Sequence, residues 1–273
     1  MNIGYYAGDK HFLKHAIVLN HSIKETISQS SQTILVKDKD YDYFKSHLPN
    51  DINIITLKLE SSLPFIDKVY AAALYESTIK DSFLWLDIDS YFLKPFSISN
   101  EYVMVNPVDM KNIGVNYGEA TDDLWSEICS DLGLDLNRFN SVLTGISQEE
   151  IYPYYNIGFV STHANYRLFN QTKDYIQGFI KDKMHFLDNP IKQIFIHHAI
   201  FTCIILSQVS QDKIKTLPEG VNYPLHLHEK AKDFDLSKLI SFRYDMIFND
   251  EVSLNLPKYL LDHKDQLTMK WIY

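Results

Sequence analysis

The chain has 273 residues, 45% of them apolar and 22% charged, and carries a formal net charge of −9 at pH 7. This is a globular composition, long enough for one large domain or two small ones, and its acidity argues against a nucleic-acid groove or an anionic membrane face as partner. The two cysteines, Cys129 and Cys203, stand far apart in helix-like segments, so neither a disulfide framework nor a cysteine metal site is expected.

Residues 2–7 read as a first strand, Gly8-Asp9 as a turn and residues 11–27 as a helix, in which Phe12, Ala16, Leu19 and Ile23 form one apolar stripe. A strand over 32–37, a short helix over 41–47 and a strand over 52–59 follow. Pro64 suits the first turn of a helix running to about residue 80, with Ile66, Val69, Tyr70, Ala73 and Leu74 on its buried face. Strands alternating with helices predict a mostly parallel sheet with helices on its faces. No GxGxxG follows the first strand and no GxxxxGK[ST] occurs, so dinucleotide and P-loop sites lack support.

The run Phe83-Leu84-Trp85-Leu86 has the composition of a strand buried on both faces, and it stops at Asp87-Ile88-Asp89. Ligands of open α/β sheets bind at the carboxyl ends of strands, and residues two apart share a face. Two neighbouring carboxylates repel unless a cation lies between them. A hard divalent ion, Mg²⁺ or Mn²⁺, suits oxygen ligands and bridges to phosphates; a solvated strand end with a turn-forming Asp is the plainer alternative. Lys68, near the start of its helix, either reaches a phosphate or is an ordinary solvated charge.

A strand is expected over 102–106, then a polar stretch over 109–123, a helical pattern over 122–133 and loop-like chain over 137–150, the kind of excursion that often binds ligands. Residues 152–160 form an aromatic approach to a strand interrupted by Asn156 and Gly158, a close approach to the backbone or a bulge. Helices are expected over 165–183 and 191–209. The second is apolar nearly all round and so should be buried, with His197-His198 at its centre either under a site or satisfied in the core. A strand follows over 215–217. His226 and His228 would share one face of an extended segment, either completing a carboxylate metal site or lying at the surface. The first ten residues lack a leader pattern and no run approaches 18 apolar residues, so a cytoplasmic chain without a transmembrane segment is expected.

Together these features resemble the GT-A nucleotide-sugar glycosyltransferases, in particular the retaining galactosyl- and glucosyltransferases of the glycogenin type. Residues 3–12, IGYYAGDKHF, are similar to that family's first strand and uridine-binding turn; Leu86-Asp87-Ile88-Asp89-Ser90 with Lys94-Pro95 looks like its DxD strand; Tyr155-Asn156-Ile157-Gly158-Phe159 is similar to its Asn-Ala-Gly strand. The resemblance implies a GT-A (nucleotide-diphospho-sugar transferase) fold over 1–228; the remaining 229–273 reads from its residues as a peripheral extension in which Trp271 packs. It implies transfer of a sugar from a nucleoside-diphosphate sugar, with UDP the expected nucleotide, to a glycan or other hydroxyl acceptor. The donor would be met by Tyr6, Ala7, Asp9, His11, Lys68, Asp87, Ile88, Asn156 and Gly158, and Mn²⁺ or Mg²⁺ would be held by Asp87, Asp89 and His226 or His228. The family's Asp-Gln pair under the donor sugar has His197-His198 as its nearest counterpart, which with Asp87, Asp89 and Asn156 completes the catalytic candidates. The family's histidine ligand lies in a His-x-x-Gly-x-x-Lys-Pro pattern whose glycine and lysine are missing around His226 and His228. A catalytically silent binding module of the same fold and a sugar-nucleotide pyrophosphorylase are the alternatives.

Overall fold

The structure is a computed structural model that describes residues 1–58, 61, 63–231 and 233–245; residues 246–273, including Trp271 and most of the expected C-terminal extension, lie outside the described residues. The strands are β1 (Asn2–Tyr6), β2 (Ser31–Lys37), β3 (Asn53–Leu57), β4 (Ser82–Leu86), β5 (Ser90–Phe92), β6 (Val103–Val105), β7 (Val142–Leu143), β8 (Glu150–Ile151), β9 (Phe159–His163), β10 (Ile214–Thr216), β11 (Tyr223–Pro224) and β12 (Ser241–Arg243). The helices are α1 (Leu13–Thr26), α2 (Tyr41–His47), α3 (Ile66–Thr78), α4 (Asp123–Asp131), α5 (Leu168–Asp182) and α6 (Pro190–Gln208). The main sheet has seven strands in the order β10-β6-β9-β4-β1-β2-β3. β1–β2, β2–β3 and β6–β10 pair parallel and β6–β9 antiparallel, so the mostly parallel α/β sheet expected from the alternation of elements is present.

The chain forms two compact units. The first comprises Met1–Lys58, Leu84–Ile98 and the described residues from Leu217 onward. In it β1, β2 and β3 run in register, Tyr5 beside Ile34 and Ile34 beside Ile54. Five consecutive residues of β2, Gln32–Val36, are buried, as a strand covered on both faces requires. The helix expected from residue 11 begins two residues later, because Lys10–Phe12 closes as a 3₁₀ turn on the Asp9 side chain, which accepts the His11 N–H at 2.9 Å. β12 pairs antiparallel with β5, setting Arg243 opposite Ser90, and parallel with β11. Gly220 lets this small sheet close: it sits at φ +82°, and a Cβ there would fall 2.3 Å from the Lys238 carbonyl oxygen.

The second unit comprises the described residues of 59–83 and Ser99–Thr216. α6 is its core helix. Every residue from Ile196 to Leu206 is buried, and the helix packs on α4 and α5. By length and composition α6 is the single helix among the described residues that could cross a membrane, but that apolar surface is largely covered within the protein. Cys129 of α4 and Cys203 of α6 are both buried free thiols. In the excursion read as loop-like, β7 and β8 form a short antiparallel ribbon, and Trp125 anchors α4 through Nε1–H to the Ile113 carbonyl at 2.6 Å.

α5 begins without a cap of its own, since Arg167 stands in the left-handed region and gives no side-chain hydrogen bond. Glu76 of α3 supplies one from across the interface. Its carboxylate accepts the Phe169 N–H at 3.3 Å, the Asn170 N–H at 2.8 Å and the Asn170 Nδ2 at 2.8 Å. Burial pushes the Glu76 pKa up and these donors pull it back only in part. Glu76→Ala orphans the Phe169 and Asn170 N–H groups at a buried helix start and leaves Asn170 Nδ2 only the Ala73 carbonyl, and its expected cost is about 2–4 kcal/mol. Urea unfolding of Glu76→Ala beside Glu76→Gln, which keeps an acceptor, checks this; equal midpoints would refute the capping role.

Candidate active site

β4 is buried throughout and ends at Leu86, and in the first unit the turn that follows bonds Ser90 N–H to the Asp87 carbonyl at 3.2 Å. Asp87 and Asp89 are both half-buried. Asp89 keeps some exposed surface, yet its carboxylate is enclosed, and burial, then the negative charges of Asp87 and Asp245, push its pKa up to about 7 against the pull of Arg243. β12 supplies the enclosure. The Asp245 N–H donates to Asp89 Oδ2 at 2.9 Å and the Tyr244 N–H to the Asp89 carbonyl at 3.1 Å. Asp245 is itself left-handed, at φ +56°, which aims its amide at Asp89. Arg243, Tyr244 and Asp245 were not among the sequence candidates; they fall in a stretch that reads as peripheral.

Tyr244 continues into an aromatic ladder. Its ring is stacked on His15 at 5.5 Å and His15 lies 5.6 Å from Phe12, whose 3₁₀ turn begins at Asp9. Burial drives the His15 pKa down to about 3, so the ring is neutral at working pH. Ala7 is fully buried and extends the β1–β2 ladder through its N–H to the Leu35 carbonyl at 2.9 Å. Tyr6 and Asp9 are half-buried and His11 is exposed.

His226 and His228 do not lie in extended chain. Leu225–Lys230 is 3₁₀ helix, in which positions two apart point about 120° away from each other, so the two imidazoles do not share a face. The fold-back has a local cause: the Tyr223 hydroxyl and His228 Nδ1 are 2.8 Å apart, and Tyr223 stacks on Phe234 at 4.2 Å. Among the described residues no group of three or more His, Cys, Asp or Glu side chains is assembled to hold a metal ion.

In the second unit, Asn156 is buried, and its Oδ1 accepts the Gly158 N–H at 2.7 Å while its own N–H donates to the Asn106 carbonyl at 2.8 Å. α6 meets the same segment. The Ile157 N–H donates to His198 Nδ1 at 3.1 Å, and the Tyr155 N–H to Thr202 Oγ1 at 2.8 Å. Thr202 is a further residue that sequence reasoning missed, although its position four residues after His198 puts both on one helix face. His197 is buried with its ring 4.1 Å from His198 and 5.8 Å from Phe65, on which it stacks. Neither His197 ring nitrogen makes a hydrogen bond of good geometry; the nearby Ile194 carbonyl only weakly favours the protonated ring. Burial first, then His198 and Lys68, hold the His197 pKa well below the usual imidazole value. Lys68 Nζ lies 5.8 Å over the Phe65 ring, and Phe65 is 55% exposed at φ +61°. His197, His198, Phe65 and Lys68 thus form one cluster, and Asn156 and Gly158 adjoin it through His198.

A protein-family model described as a Rhodobacterales glycosyltransferase domain matches residues 13–195, more than half of the chain. The chain belongs to this glycosyltransferase family. The enzyme has no significant match among curated proteins. Among solved structures the glycosyltransferase is similar to an active-site mutant of LgtC in which one glutamine is replaced by glutamate, with a TM-score of 0.54 at 12% identity over 90% of this chain and 87% of that one. It is also similar to the galactosyltransferase LgtC in complex with donor and acceptor sugar analogs, with a TM-score of 0.52 at the same identity and coverage. At that identity the likeness speaks for the fold, which is the expected GT-A fold.

Proposed function

We propose that this glycosyltransferase moves a sugar from a nucleoside-diphosphate sugar, with uridine as the base, to a hydroxyl of a glycan or similar acceptor, and that Asp87 and Asp89 hold Mn²⁺ or Mg²⁺. The observation that carries the metal reading is the state of Asp89. Its enclosed carboxylate faces the charges of Asp87 and Asp245 with Arg243 as counterweight, a surplus of hard anionic oxygen that a divalent cation relieves. Asp87 and Asp89 would give such an ion two hard oxygen ligands, and His226 or His228 is the proposed third. When bound, the ion offsets the charge that builds on the leaving diphosphate.

The remaining work falls to the chain. The turn capped by Asp9 suits a base edge, with Tyr6, Ala7 and His11 beside it. Asn156 has its Oδ1 committed to Gly158, which leaves Nδ2 to donate to a sugar oxygen. His197, held neutral by burial, contributes an uncharged polar surface beside His198.

A thermal-shift screen with UDP, UDP-galactose and UDP-glucose, each with and without Mn²⁺, tests the reading. A donor present at a hundred times its Kd is expected to stabilise the fold by about 2.7 kcal/mol, a rise of several degrees. Absence of a metal-dependent shift with all three ligands would remove the proposal.

A further inference from the structure

In the segment Tyr155-Asn156-Ile157, a bridge residue leading into a turn, successive N–H groups point to opposite sides, and on one side a helix takes the place of a neighbouring strand. On one side the Asn156 N–H reaches the Asn106 carbonyl, and Pro107 pairs with Tyr155 as an isolated bridge. The N–H groups of the alternate residues Tyr155 and Ile157 turn the other way, where ladder acceptors would normally stand. There they meet Thr202 Oγ1 at 2.8 Å and His198 Nδ1 at 3.1 Å, two side chains spaced i, i+4 on α6. The Thr202 hydroxyl proton is spent on the His198 carbonyl at 2.8 Å, which orients a lone pair toward Tyr155. Because an amide can only donate, His198 Nδ1 is unprotonated and the neutral ring carries its proton on Nε2.

We infer that His198 and Thr202 are positioning residues that act through the backbone of Tyr155 and Ile157 to set the direction in which Asn156 presents its amide to the donor sugar. The inference rests on the proposed role of Asn156. Three features specify it. Both acceptors are buried, Thr202 completely. Both act on the residues flanking Asn156, and the Asn156 side chain is itself pinned to the Gly158 N–H, so a shift of the backbone moves Nδ2 with it. A displacement of about an ångström in a group that orients substrate lowers turnover roughly a hundredfold.

Four full-length variants test this, assayed for UDP release from UDP-galactose and UDP-glucose, with Asn156→Ala as control. Thr202→Val removes the acceptor at nearly constant volume, and Thr202→Ser restores it. His198→Asn places an oxygen near the site of Nδ1, whereas His198→Gln places it near that of Nε2; the last two are polar and of similar size, so both should fold. Thr202→Val and His198→Gln are expected to lower kcat about 10- to 100-fold with donor KM changed less than about threefold, and Thr202→Ser and His198→Asn to recover most of the loss. A purely structural role would move the melting temperature without this pattern in kcat. Loss in Asn156→Ala with undiminished kcat in Thr202→Val and His198→Gln overturns the inference alone. Undiminished kcat in Asn156→Ala overturns the proposed role of Asn156, and the inference with it.

Discussion

Asp89→Ala is expected to lose about three orders of magnitude or more of Mn²⁺-dependent UDP-sugar turnover while remaining folded. On the reading proposed here Asp89 holds the ion that offsets charge on the leaving diphosphate, and removing one preorganised electrostatic contact of that kind costs about 10²–10³ in rate by itself. The folded state should tolerate the loss. Among the described residues one hydrogen bond to the carboxylate is forfeited, that of the Asp245 N–H, worth about 1 kcal/mol. Against it stands the strain of an ionised Asp89 enclosed beside Asp87 and Asp245. A carboxylate whose pKa is raised in the folded state stabilises it below the unfolded pKa and loses that contribution as pH climbs to about 7. Asp89→Asn, which ends this titration, is therefore expected to melt higher than the wild type at pH 8 without metal. Metal-dependent turnover at the wild-type rate in Asp89→Ala would end the proposed role, whatever the melting temperatures.

The second large effect is acid lability from buried imidazoles. His15 is driven down to about 3 by burial, and His197 well below the usual value by burial, His198 and Lys68. In the unfolded chain both take up a proton below about pH 6.5, whereas the folded protein does not, so stability falls with pH from about 6.5 toward 3. For His15 alone the loss between pH 7 and pH 4 is about 3 kcal/mol. His15→Phe keeps a ring between Phe12 and Tyr244 and cannot titrate. Its stability relative to the wild type should improve by about 3 kcal/mol when urea unfolding is repeated at pH 4 instead of pH 7. Asp89 acts in the opposite sense over part of the same window, so the wild-type profile does not separate the two groups and the differences between variants do. A His15→Phe difference that is the same at both pH values would show that the buried ring does not govern acid unfolding.

Much of the fold was legible because its signals are local. The β4 apolar run, the alternation of strands and helices and the all-round apolarity of α6 each follow from which faces must be buried, and the structure holds all three. The start of α1 was misjudged by two residues because a side-chain cap, not periodicity, decides where Lys10–Phe12 turns. The spacing of His226 and His228 suggests extended chain because alternation alone cannot register that Tyr223 folds back on both His228 and Phe234. Thr202 carried a usable signal, its i, i+4 spacing from His198. Its acceptor role did not, because the amide it serves lies 47 residues away in sequence.

By itself the sequence determined a mostly parallel α/β chain with a carboxylate pair at the end of an apolar strand, since burial patterns and strand ends are properties of consecutive residues. The tertiary structure alone decided what surrounds that pair. β12 returns from more than 150 residues downstream to lay Tyr244 and Asp245 on Asp89. Likewise α6 turns two side chains into the acceptors that a neighbouring strand would have offered the Asn156 segment. Both are hydrogen bonds between distant backbone amides and whatever acceptor the fold brings within 3.1 Å, and no local pattern encodes which acceptor that is.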